Sequence, residues 1–250
     1  MFGELYVDAI RVAGELPPQE YASQLPVVRY LQQSGGLRLT KRVTFFVGEN
    51  GAGKSTLLEA VAVALGFNPE GGTVNYSFST ADSHSGLYRY LRVSRGVRRQ
   101  RDGYFLRAES FYNAASYLDE LERTPGCGGV LSSYGGRSLH RQSHGESFMA
   151  LVENRFGGEG LYLLDEPEAA LSPMRQMELL CHIDALVKRD SQFLISTHSP
   201  ILMAYPGAEI WELSSEGLRR VDYRETEHYQ ITRRFLEDPE RMLRYLLEED

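Results

Sequence analysis

Residues 48–55 read GENGAGKS, Gly48 to Ser55, and the reading of these eight residues decides the fold. They fit the spacing G-x-x-x-x-G-K-[ST] of a phosphate-cradling loop, or P-loop. The pattern has an electrostatic reason. Glycines allow successive backbone N–H groups to turn inward around phosphate oxygens, and the helix that follows presents its positive end to the same anion. Asn50, Gly51, Gly53 and Thr56 belong to this cradle, Lys54 is placed to reach the β- and γ-phosphates, and the Ser55 hydroxyl is placed to ligate Mg²⁺. The flanks agree with the motif. RVTFFVG, Arg42 to Gly48, is β-branched and aromatic and stops at a glycine, as a buried strand does. KSTLLEAVAVAL, Lys54 to Leu65, is rich in helix formers, with Gly66 placed as its C-cap and Pro69 shortly after.

Bound Mg²⁺ needs a carboxylate as well as a hydroxyl, and LYLLDEP, Leu161 to Pro167, supplies one. Four apolar residues run into Asp165 and Glu166, so Asp165 is expected at the end of a buried strand beside the P-loop strand, the Walker B arrangement. Glu166, next to it, is then placed to orient or deprotonate an attacking water.

Three further stretches complete an order. HRQSHGES, His140 to Ser147, precedes the Walker B strand; Ser172 and Pro173 follow it as N-cap and first-turn proline of a helix; His198 lies 33 residues after Asp165, in STHSP at a strand end. The order of P-loop, signature loop, Walker B with its glutamate, D-loop and switch histidine resembles the ABC-class P-loop ATPases. Within them it resembles compact, SMC- and RecF-like bacterial AAA-family ATPases without a coiled coil. The resemblance covers about residues 1–205 and implies an α/β fold with a mainly parallel central sheet, N-terminal antiparallel strands and an inserted lobe.

The resemblance also implies roles. Ser143, Gly145 and Glu146 match the second, fourth and fifth positions of the signature Leu-Ser-Gly-Gly-Gln, while Gln142 and His144 depart from it. In that class the signature serine, a glycine amide and the following helix bind the γ-phosphate of ATP held by a second subunit, again an anion at a helix N-terminus. His198 takes the γ-phosphate-sensing position, Ser172 stands where the D-loop has an aspartate, and Glu109, after GYFLRA, stands where a glutamine usually touches the metal. Tyr6 is read as a strand residue rather than as an adenine stack. A serine–histidine hydrolase needs an oxyanion hole and a third group converging from elsewhere, and a metal site from His140 and His144 needs more ligands than this stretch offers.

Composition sets the outer bounds. The chain has 250 residues, 42% hydrophobic and 24% charged, with net charge −7, which excludes a globally basic nucleic-acid binder. The N-terminal stretch carries acids among its apolar residues, unlike a signal peptide, and no run approaches the roughly 20 apolar residues of a membrane span. Two cysteines, Cys127 and Cys181, suit a reducing cytoplasm. The expected organisation is a single ATPase domain over 1–250, with residues 71–140 as an arginine-rich and helical lobe and residues 206–250 as a strand-helix extension. That lobe carries seven arginines from Arg89 to Arg107 against one acid, Asp102, a surface for DNA or a solvated face paired with acids. The tail, ending RYLLEED, reads as one or two amphipathic helices, with Asp238-Pro239 starting the second, that either dock a partner or cover the sheet. The expected activity is Mg²⁺-dependent ATP hydrolysis by a homodimer closed on ATP, coupled to DNA repair or phage defence. A nucleotide-gated regulatory subunit and a P-loop small-molecule kinase are the alternatives.

Overall fold

Strand β3, Val43–Gly48, is buried along its whole length, as a central strand covered on both faces must be. The computed structural model describes residues 5–73, 85–108 and 143–247, with 116, 122, 129 and 136. In it β3 sits inside a six-stranded sheet of order β5-β6-β7-β3-β8-β9, where β5 is Asp102–Arg107, β6 Gly160–Asp165, β7 Gln192–Ser196, β8 Glu209–Ser214 and β9 Gly217–Val221. All neighbours are parallel except β9, which returns antiparallel on β8. The expectation that the Asp165 strand lies beside the P-loop strand is corrected: β7 pairs with both and separates them. The chemistry tolerates this because β3, β6 and β7 are parallel, so their C-terminal ends open on one edge.

The sheet divides the core by the strand period of two. Phe46, Leu161 and Leu163 face one cluster, with α1 (Pro26–Ser34) and α2 (Lys54–Leu65). Phe45, Val47, Tyr162 and Leu164 face the other, with α3 (His144–Arg155), α4 (Pro173–Val187) and the short α5 (Pro200–Met203). The phenylalanines of β3 are fully buried, each contributing about 1.5–3 kcal/mol of transfer free energy. A small antiparallel sheet, β2 (Leu37–Arg38), β1 (Val7–Val12) and β4 (Leu91–Arg95), closes the first cluster. The buried Gln192 side chain ties it to the main sheet: it accepts from Tyr6 N at 2.8 Å and Val7 N at 2.9 Å and donates to Val7 O at 3.0 Å. Tyr6 is 2% exposed, a core residue as its sequence pattern implied.

The described part of the arginine-rich stretch is shared between the two sheets, β4 in the small one and β5 at the edge of the large one. Arg98 and Arg101 pair with Glu159, and Arg98 also with Asp190. Residues 109–140 of the expected lobe lie almost wholly outside the described residues. Beyond β9 come two helices, α6 (Glu227–Glu237) and α7 (Pro239–Leu247), the second opened by the expected proline. Neither buries a residue, and Phe235, Leu236, Leu243, Tyr245, Leu246 and Leu247 are exposed, so these helices do not cover the sheet. No described helix is long and apolar enough to cross a membrane.

Candidate nucleotide site

The loop after β3 bends where its glycines permit. Gly48 has φ 133° and a Cβ there would collide with the Leu213 carbonyl of β8; Gly53, at φ 94°, is the left-handed N-cap of α2. Lys54 starts that helix and is only 4% exposed. Its ammonium donates to the carbonyls of Gly48 and Glu49, both at 2.9 Å. Burial lowers its pKa, and the nearby Glu166, Asp165 and Glu168 partly offset that. A buried cation whose hydrogen bonds, among the described residues, go to loop carbonyls, at a helix N-terminus, fits an anionic ligand. Asn50 and Gly51 are exposed on the loop, and Ser55 and Thr56 are half-buried on the first turn.

At the end of β6, Asp165 is 6% exposed. Burial raises its pKa, and hydrogen bonds from Ser196 and Ser55, with the Arg107 charge, counter the rise. Arg107, at the end of β5, places Nε 3.5 Å from Asp165 and its Nη1 2.5 Å from Glu59 of α2. It therefore links the Walker B strand to the P-loop helix. The hydroxyl of Ser55 and the carboxylate of Asp165 are thus in contact, as expected of two ligands to one cation. Among the described residues no group of three His, Cys, Asp or Glu side chains could cage a metal. One hydroxyl and one carboxylate, both hard oxygens, fit Mg²⁺, which completes its shell with phosphate and water rather than with a protein cage.

Glu166 is in the left-handed region at φ 50° and ψ 52°, a conformation uncommon for a residue with a side chain. Its N–H donates to Ser196 O at 3.0 Å, which locks the turn. The side chain enters a cavity of about 320 Å³ lined also by Ser55, Ala108, His144, Asp165 and Ala169. His198 Nε2 lies 3.5 Å from Glu166 Oε1. The histidine backbone is fixed by Glu168, which accepts from His198 N and, at 2.8 Å, from Thr197 Oγ1. Burial raises the Glu168 pKa. Burial, Lys54 and His228 lower that of His198 to about 4, so its ring is neutral near pH 7.

Ser143 is the N-cap of α3. Its N–H and hydroxyl donate to the Glu146 carboxylate at 2.9 and 2.8 Å, and its oxygen accepts from Glu146 N at 3.4 Å, a full capping box. The backbone and hydroxyl bonds from Ser143 hold the Glu146 carboxyl below its usual range. Gly145 lies in the first turn, where a Cβ would stand 3.2 Å from Ala170 O. His144 lines the same cavity as Ser55, Asp165 and Glu166, so the residue that departs from the signature faces its own chain's site. The structure therefore brings Lys54, Ser55, Asp165, Glu166 and His198 together, and leaves Ser143 and Glu146 on an exposed helix end. Glu109, His140 and Gln142 lie outside the described residues.

Four polar residues at this site escaped the sequence reading: Arg107, Glu168, Ser196 and His228. Glu168, two positions after Glu166 in DEPEAA, and Ser196, the first residue of STHSP, had a local signal.

An "AAA domain" family model matches residues 28–123, and a second, "AAA domain, putative AbiEii toxin, Type IV TA system", matches residues 141–204. No curated protein matches by sequence. Among solved structures, a "putative metal-chelate type ABC transporter" in an inward-facing conformation aligns over 91% of this chain and 88% of that one, at 17% identity and TM-score 0.50. The cbiO1 subunit from Clostridium perfringens aligns over 98% and 100%, at 17% identity and TM-score 0.49. The SMC head domain from Thermotoga maritima aligns over 74% and 92%, at 16% identity and TM-score 0.40. The two matched segments carry the P-loop and the Walker B strand, each over less than half of the chain, and the fold is similar to that of an ABC-type P-loop ATPase head.

Proposed function

We propose that this chain binds ATP with Mg²⁺ and hydrolyses it to ADP and phosphate in a site completed by a second copy. The observation that carries the hydrolytic reading is the position of Glu166: a carboxylate held in a left-handed turn, beside the Ser55–Asp165 contact and 3.5 Å from His198. Ser55 and Asp165 would hold Mg²⁺, which would supply neutralisation of phosphate charge. The protein does the rest. Lys54 exchanges its loop carbonyls for phosphate oxygens, Glu166 accepts a proton from the attacking water, and His198 donates from Nε2 to the γ-phosphate. A cavity of about 660 Å³ beyond Gly48, against Leu213, offers room for the nucleoside.

Support for the second copy comes from the exposed N-terminus of α3. Ser143 and Glu146 leave the N-terminal end of α3 exposed to solvent, where it can take an anion brought by another molecule. Two chains related by a two-fold axis, each giving α3 to the other's ATP, close while the γ-phosphate bridges them and separate after cleavage. Coupling of this cycle to a DNA transaction, repair or phage defence, is the broader reading. It has the exposed Arg89, Arg92, Arg95 and Arg99 as support, whereas Arg98, Arg101 and Arg107 are paired with acids.

Phosphate release distinguishes this function from phosphoryl transfer to an acceptor. With ATP and Mg²⁺ alone the chain is expected to release free phosphate, and Glu166→Gln to slow release by about 10²–10⁴-fold, the usual contribution of a general base. Turnover that requires an added small-molecule acceptor means a kinase instead.

A further inference from the structure

Helix α6 of the C-terminal extension reaches the phosphate end of the site through His228. His228, in the first turn of α6, sets its Nε2 2.9 Å from Nδ1 of His198, with ring centroids 5.0 Å apart and planes at 58°. Its helix start is fixed from three sides. Thr226, fully buried, caps α6 by accepting from Tyr229 N at 3.4 Å and donates to Tyr223 O at 2.8 Å. Glu227 N points at Glu212 of β8 at 3.5 Å, and the Tyr223 and Tyr229 rings pack at 4.7 Å.

Two ring nitrogens at bonding distance must divide the roles of donor and acceptor. Either His198 donates from Nδ1 and presents a bare Nε2 lone pair to the site, or it accepts at Nδ1 and carries its proton on Nε2. The surroundings decide. His198 Nε2 is buried without a hydrogen-bond partner among the described residues, and the atom it faces is Glu166 Oε1 at 3.5 Å. A lone pair facing a carboxylate repels it, whereas an N–H attracts it, and partial burial strengthens both effects.

We propose that His228 is a positioning residue: by donating Nε2–H to Nδ1 of His198, it fixes His198 as the Nε2–H tautomer and aims that donor at Glu166 and the terminal phosphate. The tautomer choice exists because burial and the Lys54 charge lower the pKa of both rings, keeping them neutral near pH 7. The phosphate part of this assignment rests on the ATPase reading; the tautomer does not. A residue beyond both matched family segments thereby enters the site and ties α6, with the exposed helix α7 behind it, to the phosphate-sensing histidine.

Long-range ¹H–¹⁵N spectra of the full chain near pH 7.5, recorded without nucleotide and assigned with His198→Gln, test the proposal. The expected pattern for the unsubstituted chain is Nε2–H on His198. His228→Ala is expected to give a mixture of tautomers and about tenfold slower phosphate release, one hydrogen bond's worth. His228→Gln, whose amide N–H donates from the same place, is expected to restore both. Nδ1–H on His198 in the unsubstituted chain, or Nε2–H undisturbed in His228→Ala, overturns the proposal. The predicted tautomers with no phosphate release from ATP and Mg²⁺ sink the ATPase reading and uphold the assignment.

Discussion

At the P-loop end, Lys54, Asp165 and Glu168 are enclosed by their own chain: Lys54 is held by the carbonyls of its own loop, whereas Asp165 meets Ser196 and Arg107, and Glu168 meets Thr197 and the His198 amide, all distant in sequence. At the Ser143 end, a helix N-terminus stands in solvent and is capped by its own third residue. The first end is a finished cradle that burial has already desolvated. The second is a finished local structure without an enclosing wall. A site assembled from both halves pays its desolvation cost before the ligand arrives on one side and during closure on the other. Binding is therefore expected to depend on the first half, and closure on the second.

The largest contrast is expected in acid. His198 stays neutral in the fold down to about pH 4, whereas an unfolded histidine takes a proton near 6.5. Between these values the unfolded chain binds more protons, so this contribution is full above 6.5 and is lost as pH falls toward 4. The loss is up to about 3 kcal/mol, and the lowered pKa of His228 acts in the same direction. Asp165 and Glu168, with raised pKa values, act the other way, so the reading is the difference between the unsubstituted chain and His198→Gln in urea unfolding at pH 7 and pH 4.5. Equal losses in the two chains contradict the buried neutral ring.

A smaller effect is expected at the exposed half. Ser143→Ala removes the cap and costs about 1 kcal/mol of stability. It should leave the affinity of the single chain for a fluorescent ATP analogue within about twofold, because no phosphate contact of Lys54 is touched, while phosphate release at saturating ATP falls about tenfold. Loss of affinity comparable to the loss of turnover would place Ser143 in its own chain's site and erase the contrast.

The two halves also differ in how far they could be read from sequence. VTFFVG, LYLLD and QFLIS announce buried parallel strands because unbroken apolar runs leave few other options, and the glycines and Lys54 are confined to eight residues. The order of the strands was not legible: an all-buried run pairs equally well on either side, and β7 separates β3 from β6. Arg107 looked like one of seven surface arginines, since its acids, Glu59 and Asp165, are 48 and 58 positions away, 107 less 59 and 165 less 107. His228 carried no pattern at all, being joined to His198 only by the packing of α6. Conversely, Ser143-x-x-Glu146 reads as a capping box from its spacing alone, which explains Glu146 without any phosphate.

The central claim, that one chain holds half of a working site, is tested most directly by the mass of the Glu166→Gln chain in solution. Light scattering with saturating ATP and Mg²⁺ is expected to give twice the mass of one chain, falling back to one when ADP replaces ATP. A Glu166→Gln chain that binds ATP and remains monomeric contradicts the claim.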